Sequence, residues 1–329
     1  MVSINPCFFS IYKLLVCFIA IVFMGSLASC SGTKTLPVSN RLINSNCFYS
    51  PLPEGKYAPD SNFVPDSKLL DRFSEDALFI AHITGLKKKL ERLYLAEEEI
   101  KRGYSLSARL ELNEVRQQID HHISHASLQV SALASVLECE DERADQVASY
   151  LLHQQNKAQQ HLTVAAITIG AVTAIASGIV YSRRPDAPAV DGIGIVGGIA
   201  EVLIGIRLLL LSKKVDFWHQ QNHLREIWYG PKSSDLYPPF IWAYLNSVRT
   251  DSEVTIREQI IDKWIGLEQL ASEDKKEHKR QVALYFGKGG KYSADDLTNR
   301  ANMLDQLEAQ VSLLKQGLSK LSYEIYEQK

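Results

Sequence analysis

The sequence predicts an all-α protein: an elongated helical bundle or coiled coil with a central hydrophobic, transmembrane-type helical hairpin. Three observations carry that expectation. Leu162–Tyr181 and Ile193–Leu211 are apolar runs separated by the polar loop Ser182–Pro188, and each comes close to the ~20 residues that cross a bilayer. Between Leu106 and Ile169 there is neither proline nor glycine, so one helix can enter the first arm unbroken. On both sides of the hairpin, apolar residues recur at spacings of three and four, the helical period.

The chain divides into a leader (1–29), a Pro-rich tether (30–67), a long helical arm (68–161), the hairpin (162–212), a helix with an aromatic, Pro-containing loop (213–250) and a C-terminal helical hairpin (251–329). In the leader, Lys13 precedes the apolar run Leu14–Met24, and Leu27-Ala28-Ser29-Cys30 follows. This arrangement resembles bacterial lipoprotein precursors, whose signal is cut before a lipobox cysteine. The resemblance implies that Cys30 is the acylated first residue of the mature chain. With Ser31 next, it also implies an envelope protein held on the outer membrane and facing the periplasm. Cys47 and Cys139 are then the one pair that could form a disulfide in an oxidising compartment.

In the tether, Pro37, Pro51, Pro53, Pro59 and Pro65 lie among Ser, Asn and Asp, which reads as a spacer. Leu86, Leu90, Leu93 and Ile100 begin a helical pattern that breaks near Gly103. From Leu112 through Val115, Ile119, Ile123, Val130, Leu133, Leu137, Ala144 and Val147 to Leu151 an apolar seam follows one helix face.

In the first hairpin arm, Ala166, Gly170, Ala174 and Gly178 recur every fourth residue, a small-xxx-small pattern that lets helices approach closely in lipid. The second arm carries Gly194 and Gly198 and, one face over, Gly197, Glu201 and Gly205. Glu201 and Arg207 are its only charges; a carboxylate at that depth calls for a helix, a polar cavity or water as partner. The competing reading is a buried helical pair inside a soluble bundle, also apolar all round. Charge leaves the topology open, because Arg183 and Arg184 at the tip oppose Lys213 and Lys214 at the root.

After the hairpin, residues 212–229 read as helix ending at Gly230-Pro231, with Trp218, Trp228 and Tyr229 suited either to a membrane interface or to a core. Tyr237–Tyr244, with Pro238-Pro239 before Phe240 and Trp242, is a rigid apolar knob that caps the bundle or docks an envelope partner. Ile260, Trp264, Leu267 and Leu270 share a stripe, Gly287–Tyr292 reads as a turn, and Ser293 with Asp296 forms a capping box. Leu304, Leu307, Val311, Leu314, Leu318, Leu321 and Ile325 then give the cleanest seam in the chain.

His121 and His125, one turn apart, are the weak candidates for a metal, and lack the glutamate of an HExxH pair. Gly287–Lys291 lacks phosphate-loop spacing, and no nucleophile–base grouping or cofactor motif is present. The balance of 36 basic and 38 acidic side chains gives no field for nucleic acid. In layout the chain resembles helical pore-forming toxins of the cytolysin A type, and its apolar hairpin between coiled-coil arms is similar to chlamydial inclusion-membrane proteins. The expected function is therefore non-enzymatic: a lipid-anchored envelope protein that self-associates through the glycine faces and presents helical arms to partners. The alternative is a pore or conduit lined by Glu201.

Overall fold

The computed structural model describes residues 47–50, 63–103, 105–183, 188–248, 252–272 and 275–327. The leader, Cys30 and most of the tether lie outside the described residues. The fold is an all-α bundle. Its helices are α1 (Ser67–Leu70), α2 (Glu75–Ile83), α3 (Lys87–Arg102), α4 (Leu106–Arg183), α5 (Pro188–Leu209), α6 (His223–Tyr229), α7 (Pro239–Leu245), α8 (Ile256–Gly266), α9 (Lys276–Tyr285) and α10 (Ala294–Tyr326). Two short strands, β1 (Val215–Trp218) and β2 (Gly289–Tyr292), pair as an antiparallel ribbon.

The axis of the molecule is α4, 78 residues long, or about 115 Å at 1.5 Å per residue. No proline or glycine interrupts it before Gly170, so every backbone N–H past the first turn finds its carbonyl four residues earlier. Its first half buries the expected seam from Leu112 to Leu151. Against that seam lies α10, antiparallel: Tyr326 meets Asp120 and Arg116 at one end, and Arg300 approaches Glu140 at the other. All seven seam residues of α10 are buried, each contributing ~1.5–3 kcal/mol on leaving water. Ser293 and Asp296 form the capping box that starts α10, as the sequence predicts.

Glu97 stands on α3 in what looks like a solvated acidic run, yet it receives Arg72 at 2.9 Å and Arg116 at 3.2 Å. Arg72 is buried and also donates to the carbonyls of Glu324 and Ile325. A cation there satisfies the last carbonyls of α10 and favours its negative end.

Three expectations need correction. The helix read through residues 212–229 is interrupted by β1, where Val215 and Phe217 point inward and Asp216 and Trp218 outward. The turn read at Gly287–Tyr292 contains β2. Gly289 has φ +102°, and a Cβ there would strike the Phe217 carbonyl, so only glycine lets the two backbones meet. Leu267 leaves its stripe: α8 ends at Gly266, and Leu267 is 55% exposed. The knob at Tyr237–Tyr244 folds into α7, with Tyr237, Phe240, Ile241 and Trp242 buried. Those side chains cap the bundle, while Pro239 of the same segment is exposed.

Cys47 and Cys139 form a disulfide with Cα atoms 5.7 Å apart. Two residues on, the Tyr49 backbone pairs twice with the Gln221 side chain, at 2.9 and 2.6 Å. The tether is thus stitched to α4 ahead of the hairpin and to the chain behind it. Replacing both Cys47 and Cys139 with serine should lower stability by about 2–4 kcal/mol and expose residues 47–50 to protease. Thermal unfolding and limited proteolysis check both.

Candidate functional site: the exposed hairpin and its root

Beyond Leu151, α4 leaves the bundle, and among the described residues its apolar stretch runs beside α5. The two arms run antiparallel, with Gly170 opposite Glu201 and Thr173 opposite Gly197. Where they touch, half-buried residues alternate at three and four: Leu162, Ala166, Ile169, Gly170, Thr173, Ala176, Ser177 and Val180 on α4. Ile193, Gly197, Ala200, Ile204 and Leu208 answer them on α5. A Cβ on Gly197 would sit 2.5 Å from the Thr173 methyl, so glycine sets this close approach.

Only part of the predicted small-residue face takes part. Ala166, Gly170, Gly197 and Gly205 lie in or beside the contact. Ala174, Gly178, Gly194 and Gly198 are exposed on the outside. The reason is geometric: four residues turn a helix about 40° past a full circle, so Gly178 stands about 120° around from Ala166. A paired seam follows the mean 3.5-residue repeat instead.

The remaining hairpin surface is apolar and uncovered. Ile167 is 67% exposed, Ile175 63%, Ile195 62% and Val202 62%. Both arms contain a stretch long and apolar enough to cross a membrane; none of that stretch is buried in α4, and 11% is in α5. Among the described residues nothing in the bundle covers these stretches, unlike the interior pair of a soluble bundle. Glu201 is exposed midway along α5 and meets Gly170 edge-on. It has no hydrogen bond or ion pair among the described residues. Arg207 is exposed near the end of the same helix.

At the root, α5 ends at Leu209 and Lys213 donates to the Gln154 carbonyl at 3.0 Å. The chain then descends into β1, where Phe217 lies under the Arg143 guanidinium, 4.4 Å from its ring centre. From Gln154 to Arg143 is eleven residues of α4, about 16 Å. Trp218, though 55% exposed, is therefore set well back from the root. Trp228 stacks on Phe286 at 4.7 Å and serves the bundle.

Beneath the root lies a buried polar cluster that sequence reasoning missed. Arg143 pairs with Glu140 at 2.6 Å. Arg300, 1% exposed, donates to the Tyr285 carbonyl at 3.1 Å. His219 meets the Tyr292 hydroxyl at 2.8 Å, and neither ring nitrogen of the buried His223 has a partner among the described residues. A signal existed: Glu140 falls between Leu137 and Ala144, and Arg300 between Leu297 and Leu304, on the apolar stripes themselves. Burial, with Arg300 nearby, lowers His223 to about 4 and His219 to about 2. His219 and His223 are thus neutral and stand on different elements, not one turn apart on a helix.

Between Glu140 and Arg143 in the chain, Asp141 is pushed up to about 6 by burial first and then by Asp305, Asp145, Glu308 and Glu142. Elsewhere, His121 and His125 are exposed, and His125 Nδ1 lies 3.3 Å from the Gln129 amide. No group of three potential metal ligands occurs among the described residues. A shallow recess between α3 and α4, lined by Arg92, Glu99 and Glu111 among others, brings together no reactive grouping. No family model matches the chain, and no curated protein or solved structure matches it either.

The two titrations act in opposite directions. His223, neutral when folded and normally near 6.5, supports folding fully above pH 6.5; that support is lost as pH falls toward 4. Asp141, raised when folded, opposes folding fully above about pH 6; the penalty shrinks as pH falls below 6 and is gone by its ordinary value of 3.8. His223→Leu should remove on the order of 3 kcal/mol of the acid-induced loss while changing neutral-pH stability little, because no hydrogen bond is broken. Asp141→Asn should add about 1 kcal/mol at neutral pH, after allowance for its half-exposed position, and nothing near pH 4. Thermal unfolding across pH reads both.

Proposed function

We propose that the chain is a non-enzymatic cell-envelope protein, lipid-anchored at Cys30, that places the α4–α5 hairpin in a bilayer and holds the helical head in the aqueous phase. The observation that carries this reading is the uncovered apolar surface of both arms. Twenty residues of α4 from Leu162 span about 30 Å, the thickness of the hydrocarbon core. Each large side chain moved there from water contributes ~1.5–3 kcal/mol. Gly178, Gly194 and Gly198, facing outward, support association between hairpins of separate copies. The lipobox supports the anchor, and the head offers helical surfaces to partners.

Flotation of the full chain with liposomes tests the insertion. Wild type should float and resist carbonate extraction. Ile167→Asp with Val202→Asp, both on outward faces, should weaken insertion more than 100-fold, since an acid at the centre of a span costs about 3 kcal/mol. Wild type that stays in the aqueous fraction would refute the reading.

One observation favours the second reading, a conduit: the exposed, unpaired Glu201 at mid-hairpin. A carboxylate at that depth is stable facing a water-filled lumen between copies. Conductance across planar bilayers, with cation preference reduced by Glu201→Gln and assembly weakened by Gly198→Leu, is the expected outcome. Electrically silent protein would remove this reading and leave the first intact.

A further inference from the structure

We infer that the root of the hairpin is a cationic collar that recognises anionic phospholipid headgroups, an inference that rests on the membrane reading above. The band where the hairpin meets the head comprises residues 152–164 of α4 and 207–214 of the returning chain. It contains Lys157, Arg207, Lys213 and Lys214, with His153 and His161, and no aspartate or glutamate.

The structure brings these groups to neighbouring levels. Lys213 is fixed at Gln154 by its bond to that carbonyl. Glu201 opposite Gly170 sets the antiparallel register, which places Arg207 near Val164. The whole band is therefore about ten residues of helix, roughly 15 Å, deep. Arg207 and His161 lie at the edge of the apolar stretch, Lys157 in the middle and Lys213 farthest out. That order matches a headgroup layer on top of hydrocarbon, with Arg207 one turn inside and long enough to reach out of it.

Lys157, Arg207 and Lys214 are exposed, and no ion pair engages them among the described residues. Lys214 does lie in the field of Glu277, which Arg280 already holds at 2.5 Å. Apart from Glu277 and Asp216 beside Lys214, a dense group of acids lies farther down α4 and α10. Asp141, Asp145, Asp305 and Glu308 crowd one another closely enough to raise Asp141, at least nine residues of α4 away from Gln154. This separation attracts the root to a negative surface and repels the head from it, so charge sets the orientation in which the hairpin approaches. Nucleic acid would need an extended basic face, whereas these cations ring a single level against apolar surface.

The test compares vesicles of phosphatidylcholine alone with the same vesicles containing phosphatidylglycerol, using the full chain. Wild type should partition more strongly onto the anionic vesicles, an advantage that shrinks with added salt. Lys157→Gln with Lys214→Gln should cut that advantage about fivefold per lysine and leave binding to neutral vesicles unchanged. Lys157→Arg with Lys214→Arg should retain it. Lys87→Gln with Lys88→Gln, which makes the same change in net charge on exposed α3 positions, should also retain it. Equal partition of wild type onto both vesicle types, or equal losses from the collar and α3 pairs, would overturn the collar while the insertion reading stands. Failure to bind either vesicle would overturn both.

Discussion

The rest of the structure depends on the continuity of α4. One run of backbone hydrogen bonds carries the seam that binds α10 and, without a joint, the first arm of the hairpin. A glycine or proline between Leu151 and Leu162 would have introduced a hinge and made head and hairpin separate bodies. Instead a rotation or tilt of the hairpin is handed directly to the contact with α10. The lower half of α4 gains its stability from packing, and the upper half is stable as helix because its backbone bonds are internal in any solvent.

Three further contacts close the root on that axis. Lys213 ties the returning chain to α4, the β1–β2 ribbon holds the start of the C-terminal half against Arg143, and the Cys47–Cys139 bond brings in the tether. Between them lies a cluster in which Arg143 pairs with Glu140 and Arg300 stands in the field of the same carboxylate, with neutral imidazoles alongside. Such a cluster is weak evidence for stability, because desolvation offsets most of the attraction. Its buried, neutral histidines make the cluster sensitive to acid.

The long seams of α4 and α10 were legible because a helical period repeated over many residues averages out single exceptions. The hairpin was legible by length and apolarity, and its uncovered state required the structure, since an interior helix pair has the same composition. The ribbon was hidden because four-residue strands such as Val215–Trp218 offer two alternations, and β2 contains two glycines that read as a turn. Of the small-residue face, Ala174, Gly178, Gly194 and Gly198 stand outside the contact between the two arms because a four-residue spacing drifts around the helix. Charges on an apolar stripe, Glu140 and Arg300, carried information about the buried cluster that was passed over. Glu97 is hidden for the opposite reason: it stands in an acidic run of α3, and its partners Arg72 and Arg116 come from distant parts of the chain.

The cystine at position 139 also sets a leash. Cys47 is seventeen Cα–Cα steps beyond Cys30, a contour of at most about 60 Å. From Cys139 to the start of the apolar stretch at Leu162 is 23 residues of helix, or about 35 Å. With Cys30 acylated as proposed, the acyl chains and the hairpin can therefore share a single leaflet, and the head becomes a post stayed by a guy-line. Breaking the cystine would remove the covalent stay, and the post would be free to lean.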